Sequence, residues 1–446
     1  MADIYANKLR MLGFSLPGLG LNTLVTAIFV FVPVVYTEYR GMDPALVGLI
    51  FFLAKIVDMV AAPIWGNFMD SYKTRFGRRK PWLLVSVPIL ITAVFMLFTP
   101  PDDVSTLYLF FFLAMLYIGW DAWTISHTSW ALELSRNYDR RSRITALLQV
   151  MSMIGAILIG IVPAILEWVG ILDFERKTTI IGWFIIIVLP LTAILSVVSV
   201  PERETPNKPH ISFSKGFKII IYNFALLRLL AANILISFST YFIQGLFVFF
   251  VSYTLGLADL IGVILSSLLI GGLIGLPIWL WISQKTNKHK TVQIAMLTGA
   301  ISPIALLLLP PENILLTIIA FTIVGLNTSA NEFLPRTMMA DVCDKDHIES
   351  GSERMGLYYS ILQLSSKFAS GSGILIGFSF LSFFNFSPEL GINNSKQSLE
   401  NLRYLIVLLP MIANFLVIIL MLKYPISREY QDNMRKKIES KEKARF

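Results

Sequence analysis

A chain of 446 residues that is 55% hydrophobic and only 15% charged, with a mean hydropathy of +0.68, cannot cover a water-facing surface of that size, so lipid is its solvent over much of its length. The net charge of +8 sits in short runs between apolar segments, as in loops at a membrane surface, which excludes nucleic acid as a partner. Cys343 is the single cysteine, which excludes an internal disulfide framework and a thiolate metal cluster.

A bilayer core needs roughly 20 apolar residues per helical crossing. Taken in chain order, the predicted spans lie near 11–36, 44–69, 81–99, 105–132, 143–169, 178–200, 227–255, 260–283, 291–310, 314–334, 355–383 and 402–424. Met1–Arg10 is polar and the apolar stretch behind it is too long for a signal-peptide core, so no cleaved leader is expected. Turn residues separate the spans: Gly41-Met42-Asp43, Pro100-Pro101-Asp102-Asp103, Pro310-Pro311-Glu312 and Asn393-Asn394. With both termini placed inside, 29 of the 37 Lys and Arg residues fall in cytoplasmic segments. Arg40, Arg176, Lys177, Lys396 and Arg403 fall outside, and Lys55, Arg228 and Lys367 within or at the edge of a span. That asymmetry predicts a multi-pass protein of the cell (inner) membrane with cytoplasmic N- and C-termini.

The longest polar connector, Pro201–Ser214, splits the chain into an N-terminal six-helix half (1–200), a cytoplasmic connector (201–226), a C-terminal six-helix half (227–424) and a basic cytoplasmic tail (425–446). Pro63-Ile64-Trp65 closes the second span before a basic loop. Pro277-Ile278-Trp279 closes the eighth before Lys285, Lys288 and Lys290. This recurrence favours a duplicated all-α fold of two pseudo-symmetric halves that rock about a central cavity, as in secondary transporters.

The stretch from Gly66 and Asp70 through Arg75-Phe76-Gly77-Arg78-Arg79-Lys80-Pro81-Trp82 resembles the signature between the second and third helices of the major facilitator superfamily. More narrowly, the chain resembles the glycoside–pentoside–hexuronide:cation symporters. The matching pieces are Tyr36-Thr37-Glu38, Gly41, Leu46-Val47-Gly48, Lys55-Ile56-Val57-Asp58, Pro63, Asp139-Arg140-Arg141-Ser142-Arg143 and Ser252-Tyr253-Thr254-Leu255-Gly256. They continue with Ala340-Asp341-Val342-Cys343-Asp344, Glu353-Arg354-Met355-Gly356-Leu357-Tyr358 and Lys367. An Asp at a helix end beside a cationic loop can latch two helices in one conformational state. Gly66, Asp70, Arg75, Arg78 and Arg79, with Asp341 and Arg354 in the second half, are therefore read as gating residues.

Ionisable groups at mid-bilayer are costly and are functional candidates by default. Asp58, Asp121 and Lys367 each lie twelve residues from the inner end of a span, roughly 18 Å deep at 1.5 Å per residue. Lys55 stands one turn from Asp58, within ion-pairing reach. These four are expected to form the coupling site, with Asp58 and Asp121 holding the cation. The alternative is a buried ion-pair network that only orients helices.

The resemblance implies two Asp residues one turn apart on the second helix, an Asn before the second, and a Thr on the fourth helix completing a sodium cage. Here Asp58 matches the first Asp, Lys55 the family's basic residue, and Ala61 and Ala62 stand at the Asn and second Asp. Asp121 stands at the Thr. Two oxygen ligands are lost for one gained, which leans the reading toward a proton. Sodium held by Asp58 and Asp121 is the alternative.

A polar stripe on the fourth span, Tyr117, Asp121, Thr124 and Thr128, runs beside Trp120, Trp123, His127 and Trp130. Indole faces can stack on sugar rings, although packing tryptophans and a satisfied buried histidine are the bland reading. The family's first-helix Asp is Asn22 here and its Lys neighbour Leu21. The fourth-helix Asp is Thr124, the following Trp is Thr128, and the fifth-helix Arg is Gln149. With Tyr359 and Gln363 on the eleventh span, Asn22, Trp120, Thr124, Thr128 and Gln149 make up the predicted solute lining. It is neutral and hydrogen-bonding.

The expected function is cation-coupled symport of a small neutral solute, most consistent with a sugar or glycoside, by a monomer in the bilayer. No cofactor is expected beyond the coupling cation, H+ or Na+. The alternatives are a lysolipid or other amphipathic cargo on the same fold, and an uncoupled uniporter. A Ser/His/Asp set, metal-spaced histidines and a nucleotide loop are all lacking in the sequence, so an enzyme is not expected.

Overall fold

The computed structural model describes residues 8–72, 74, 76–134, 138–202, 223–350, 354–431 and 433–434. Apolar runs of crossing length become twelve candidate membrane spans among those residues, all helical. They are α1 (Lys8–Tyr39), α2 (Pro44–Ser71), α3 (Lys80–Phe98), α4 (Thr106–Glu133), α5 (Tyr138–Trp168), α6 (Phe174–Ser199), α7 (Phe224–Phe249), α8 (Ile261–Lys285), α9 (Lys288–Ile301), α10 (Ile314–Ser350), α11 (Met355–Phe383) and α12 (Lys396–Met421). Side chains start several of them. Asp43 accepts from the Leu46 N–H at 3.1 Å, Ser105 from Tyr108 at 3.2 Å and Asp173 from Arg176 at 2.6 Å, each taking up one of the four free donors of a helix start.

Two predicted boundaries move for identifiable reasons. The Asp173 cap begins α6 at Phe174 rather than 178, so Lys177, expected in an outside loop, is helical and fully buried. Pro335 does not end α10. The helix carries it in its interior and runs to Ser350 instead of 334, because neighbouring groups in a membrane bundle satisfy the backbone that a proline frees. The last helix starts at Lys396, not 402. Pro63, Pro88, Pro163, Pro190, Pro277 and Pro410 are likewise inside helices.

The chain divides into two compact units: Met1–Lys208 with Gln244–Ser266 and Ile374–Ser398, and Pro209–Ile243 with Ser267–Gly373 and Leu399–Phe446. In the first, α1 packs on α5 and α6, α2 on α4, and α3 on α4 and α6. Close approach there depends on small residues: a Cβ on Gly155 of α5 would stand 2.2 Å from the Leu19 carbonyl of α1. In the second unit the core gathers Leu229, Ile236, Met296, Leu334, Met338, Tyr358, Leu362 and Val417. The two Pro-Ile-Trp triplets sit near the basic ends of α2 and α8. Trp279 is buried and donates its Nε1–H to the Leu326 carbonyl at 2.8 Å, while Trp65 lies tilted against Trp82.

A candidate coupling and solute site

Three of the four residues expected to couple a cation, Lys55, Asp58 and Asp121, lie on α2 and α4 of the first unit, while the fourth, Lys367, lies on α11 of the second. Lys55 and Asp58 face one way because they are three residues apart on a helix. Their side chains form an ion pair, Nζ to Oδ2 at 2.9 Å, with both residues buried. The ammonium also lies 3.6 Å from the ring centroid of Tyr117, and the rings of Phe29 and Trp120 are each 5.6 Å away. A cation over ring faces is stabilised in a site where water is sparse. Asp121, one turn beyond Tyr117 on α4, is 3% exposed. Two carboxylates and one amine are thus withdrawn from solvent on a packed helix pair.

The predicted lining divides. Asn22, Trp120, Thr124 and Gln149 are half-buried on α1, α4 and α5, and the Thr124 hydroxyl is buried with no hydrogen-bond partner. Thr128 is exposed and returns its hydroxyl to the Thr124 carbonyl at 2.5 Å. His127 is satisfied in the core: Nε2 lies 2.9 Å from the Phe14 carbonyl and the ring stacks on Phe14 at 4.7 Å. Trp123 and Trp130 are buried, with the Trp130 ring edge-on to Phe14.

Lys367, Gln363 and Tyr359 belong to the second unit, on α11. Tyr359 donates its hydroxyl to the Arg336 carbonyl of α10 at 2.9 Å. Gln363 is exposed and Lys367 half-buried. Polar groups that the sequence pattern did not single out lie on α7. The Asn233 amide donates to the Ser365 and Ser366 hydroxyls at 2.8 Å each, and Asn331 of α10 donates to Thr240 at 3.2 Å.

The predicted gating residues lie in both units and are held separately in each. Around the loop before α3, Glu202 accepts from the backbone N–H groups of Arg78 and Arg79 at 2.6 Å and of Lys80 at 3.1 Å. It thereby neutralises the positive start of α3. Gly77 makes room for it: φ is +118°, and a Cβ there would stand 2.1 Å from the Glu202 carboxylate. Arg79 holds Glu133 of α4 at 2.8 Å. Gly66 has open space around it. Asp70 ends α2 with its side chain outside the described residues, and Arg75 lies wholly outside them. In the second unit Asp341 is interior to α10, pairs with Lys288 at 2.7 Å and accepts from Gln431. Arg354 pairs with Asp346 at 3.1 Å. Gly77→Val is expected to strain the turn and displace Glu202, lowering the unfolding temperature in detergent. Equal stability of the variant would show that the cap is dispensable.

One buried charge cluster escaped the sequence reading. Glu167, at the end of α5, accepts from Lys177 of α6 at 3.0 Å and from the backbone N–H groups of Gly262 at 2.8 Å and Val263 at 3.3 Å. It closes the N-terminus of α8 with an anion, as the helix dipole favours. Gly262 permits the approach, since a Cβ there would meet the Ala164 backbone N at 2.2 Å.

Comparison with known proteins places this geometry in a class. The fold resembles a bacterial homologue of the human lysosomal transporter Spinster in an inward-facing, unoccupied conformation, at a TM-score of 0.67 with 15% identity over 96% of this chain and 100% of that one. It also resembles a bacterial homologue of the iron transporter ferroportin, at 0.66 with 14% identity over 94% and 99%. The fold is the one those transporters share. The model of the MFS/sugar transport protein family matches residues 13–428, and the chain belongs to that family. Among its relatives, the sodium-dependent lysophosphatidylcholine symporter 1 of Gallus gallus is 22% identical over 96% of this chain and 88% of its own length. The isoprimeverose transporter of Lactiplantibacillus pentosus is 26% identical over 81% and 77%.

Proposed function

We propose that this major facilitator transporter is a cation-coupled symporter of a small, neutral, hydroxyl-rich solute, a sugar or glycoside. It works as a monomer with both termini in the cytoplasm. The observation that carries the coupling is the buried Lys55–Asp58 pair at 2.9 Å beneath Tyr117, with Asp121 buried one turn away. Charges this deep cost too much to be retained for packing alone. The proton is the favoured cation, because Asp58 Oδ2 already holds an ammonium and Ala61 and Ala62 bring no oxygen ligands. Sodium is the alternative, in keeping with the name of the Gallus gallus relative.

Asn22, Thr124 and Gln149 support a neutral cargo, since each can hydrogen-bond a hydroxyl without carrying charge. The name of the Lactiplantibacillus relative supports a saccharide. A lysolipid is the second reading, favoured by likeness to the lysophosphatidylcholine symporter over nearly the whole chain. Purified protein in liposomes, offered labelled isoprimeverose and labelled lysophosphatidylcholine in parallel, separates the two. Saturable uptake of the disaccharide is expected; uptake of the lysolipid alone would reverse the assignment.

A further inference from the structure

The extension of α10 past Pro335 changes the standing of one residue. Glu332 is 18 residues from Ile314 and 18 from Ser350, about 27 Å from either end at 1.5 Å per residue. Its depth is fixed independently, because the adjacent Asn331 donates to Thr240 at 3.2 Å, and Thr240 lies well inside the seventh span, Phe224–Thr254. An ionisable group at this level does not face hydrocarbon without a large cost. Yet Glu332 is exposed.

Helical geometry shows which way it faces. Beyond the first turn of α10, where Ile314, Leu315 and Leu316 are exposed at the helix end, the exposed apolar side chains before Glu332 are Ile319 and Ile323, each 45% exposed. At 3.6 residues per turn they point within about 40° of the direction opposite Glu332. These exposed apolar side chains and the carboxylate are therefore on opposite sides of the helix. α11 brings two further polar groups to that level. The Tyr359 hydroxyl meets Arg336 at 2.9 Å, so one turn back along α10 and one turn on along the antiparallel α11 set Glu332 level with exposed Gln363. Lys367 follows one turn later.

We propose that Glu332 is a solute-contacting carboxylate of the translocation pathway, accepting hydroxyl hydrogens of the cargo in the space that Gln363 and Lys367 also face. A carboxylate offers about four acceptor sites and can take two neighbouring hydroxyls at once. The proposal rests on the reading of the cargo as hydroxyl-rich.

Two measurements test it together. Cys343 is the chain's one cysteine, so Glu332→Cys on a Cys343→Ala background carries a single thiol. In intact membranes opened to both sides, a charged, membrane-impermeant methanethiosulfonate reagent is expected to label it. Labelling by an apolar maleimide alone would put the side chain in lipid and overturn the proposal. In the liposome assay with the disaccharide, Glu332→Gln is expected to raise KM at least tenfold with the maximal rate within about threefold of the unmodified protein. An unchanged KM, or a lost maximal rate at unchanged KM, would overturn solute contact while leaving the saccharide reading intact. If the unmodified protein takes up no disaccharide, the saccharide reading itself fails, and the hydroxyl role of Glu332 falls with it.

Discussion

Asp58→Asn is expected to abolish uphill accumulation of the solute and also to cost stability, and the two losses can be separated. The carboxylate is 2% exposed and holds the Lys55 ammonium at 2.9 Å. Removing one partner of a buried pair weakens the hold on the other charge, which costs up to about 3–5 kcal/mol. Thermal unfolding in detergent will therefore show Asp58→Asn well below the unmodified protein. Replacing both partners, Lys55→Met with Asp58→Asn, removes both buried charges and is expected to recover most of that loss. Accumulation stays absent in the double variant if Asp58 is the proton's or cation's acceptor, because no carboxylate is restored. Full accumulation by the double variant would reduce the pair to a helix-orienting contact.

A second large effect is expected at Glu167. Glu167→Ala leaves Lys177 at 0% exposure without its anion and removes the acceptor for the Gly262 and Val263 N–H groups. The stranded ammonium alone sets a loss of about 3–5 kcal/mol. Glu167→Gln combined with Lys177→Met is expected to be milder, because the amide oxygen still accepts from the start of α8 and no buried charge remains. Thermal unfolding of the two variants side by side checks this. An alanine variant as stable as the unmodified protein would show that water enters and replaces the carboxylate.

The contrast between these two pairs explains how far the sequence was legible. Twelve crossings follow from apolar run length, and the depth of Asp58 and Asp121 from a rise of 1.5 Å per residue. Lys55 and Asp58 are neighbours on one helix, so their contact follows from spacing alone. Glu167, Lys177 and Gly262 belong to three helices, and no periodicity along one helix reports that meeting. A local signal did exist, since Asp173 before Phe174 is a helix cap that moves Lys177 out of its supposed loop. Glu332 was hidden for a different reason. The predicted span ended at 334 and left the residue near its edge, whereas the helix runs on through Pro335 to Ser350. Likewise His127 and Trp130, polar-aromatic candidates in one dimension, turn out to be packed on Phe14. A helical stripe does not say which of its members meets another helix and which meets a cavity.

The central claim is that Asp58 and Asp121 bind the ion whose gradient drives uptake. Its most direct test is uptake into liposomes of whichever compound the protein accepts, with an inward proton gradient or an inward sodium gradient imposed separately at matched osmolarity. The account predicts accumulation above equilibrium with the proton gradient, little change when choline replaces sodium, and loss of accumulation in Asp58→Asn. Accumulation that follows neither gradient and survives Asp58→Asn would contradict it.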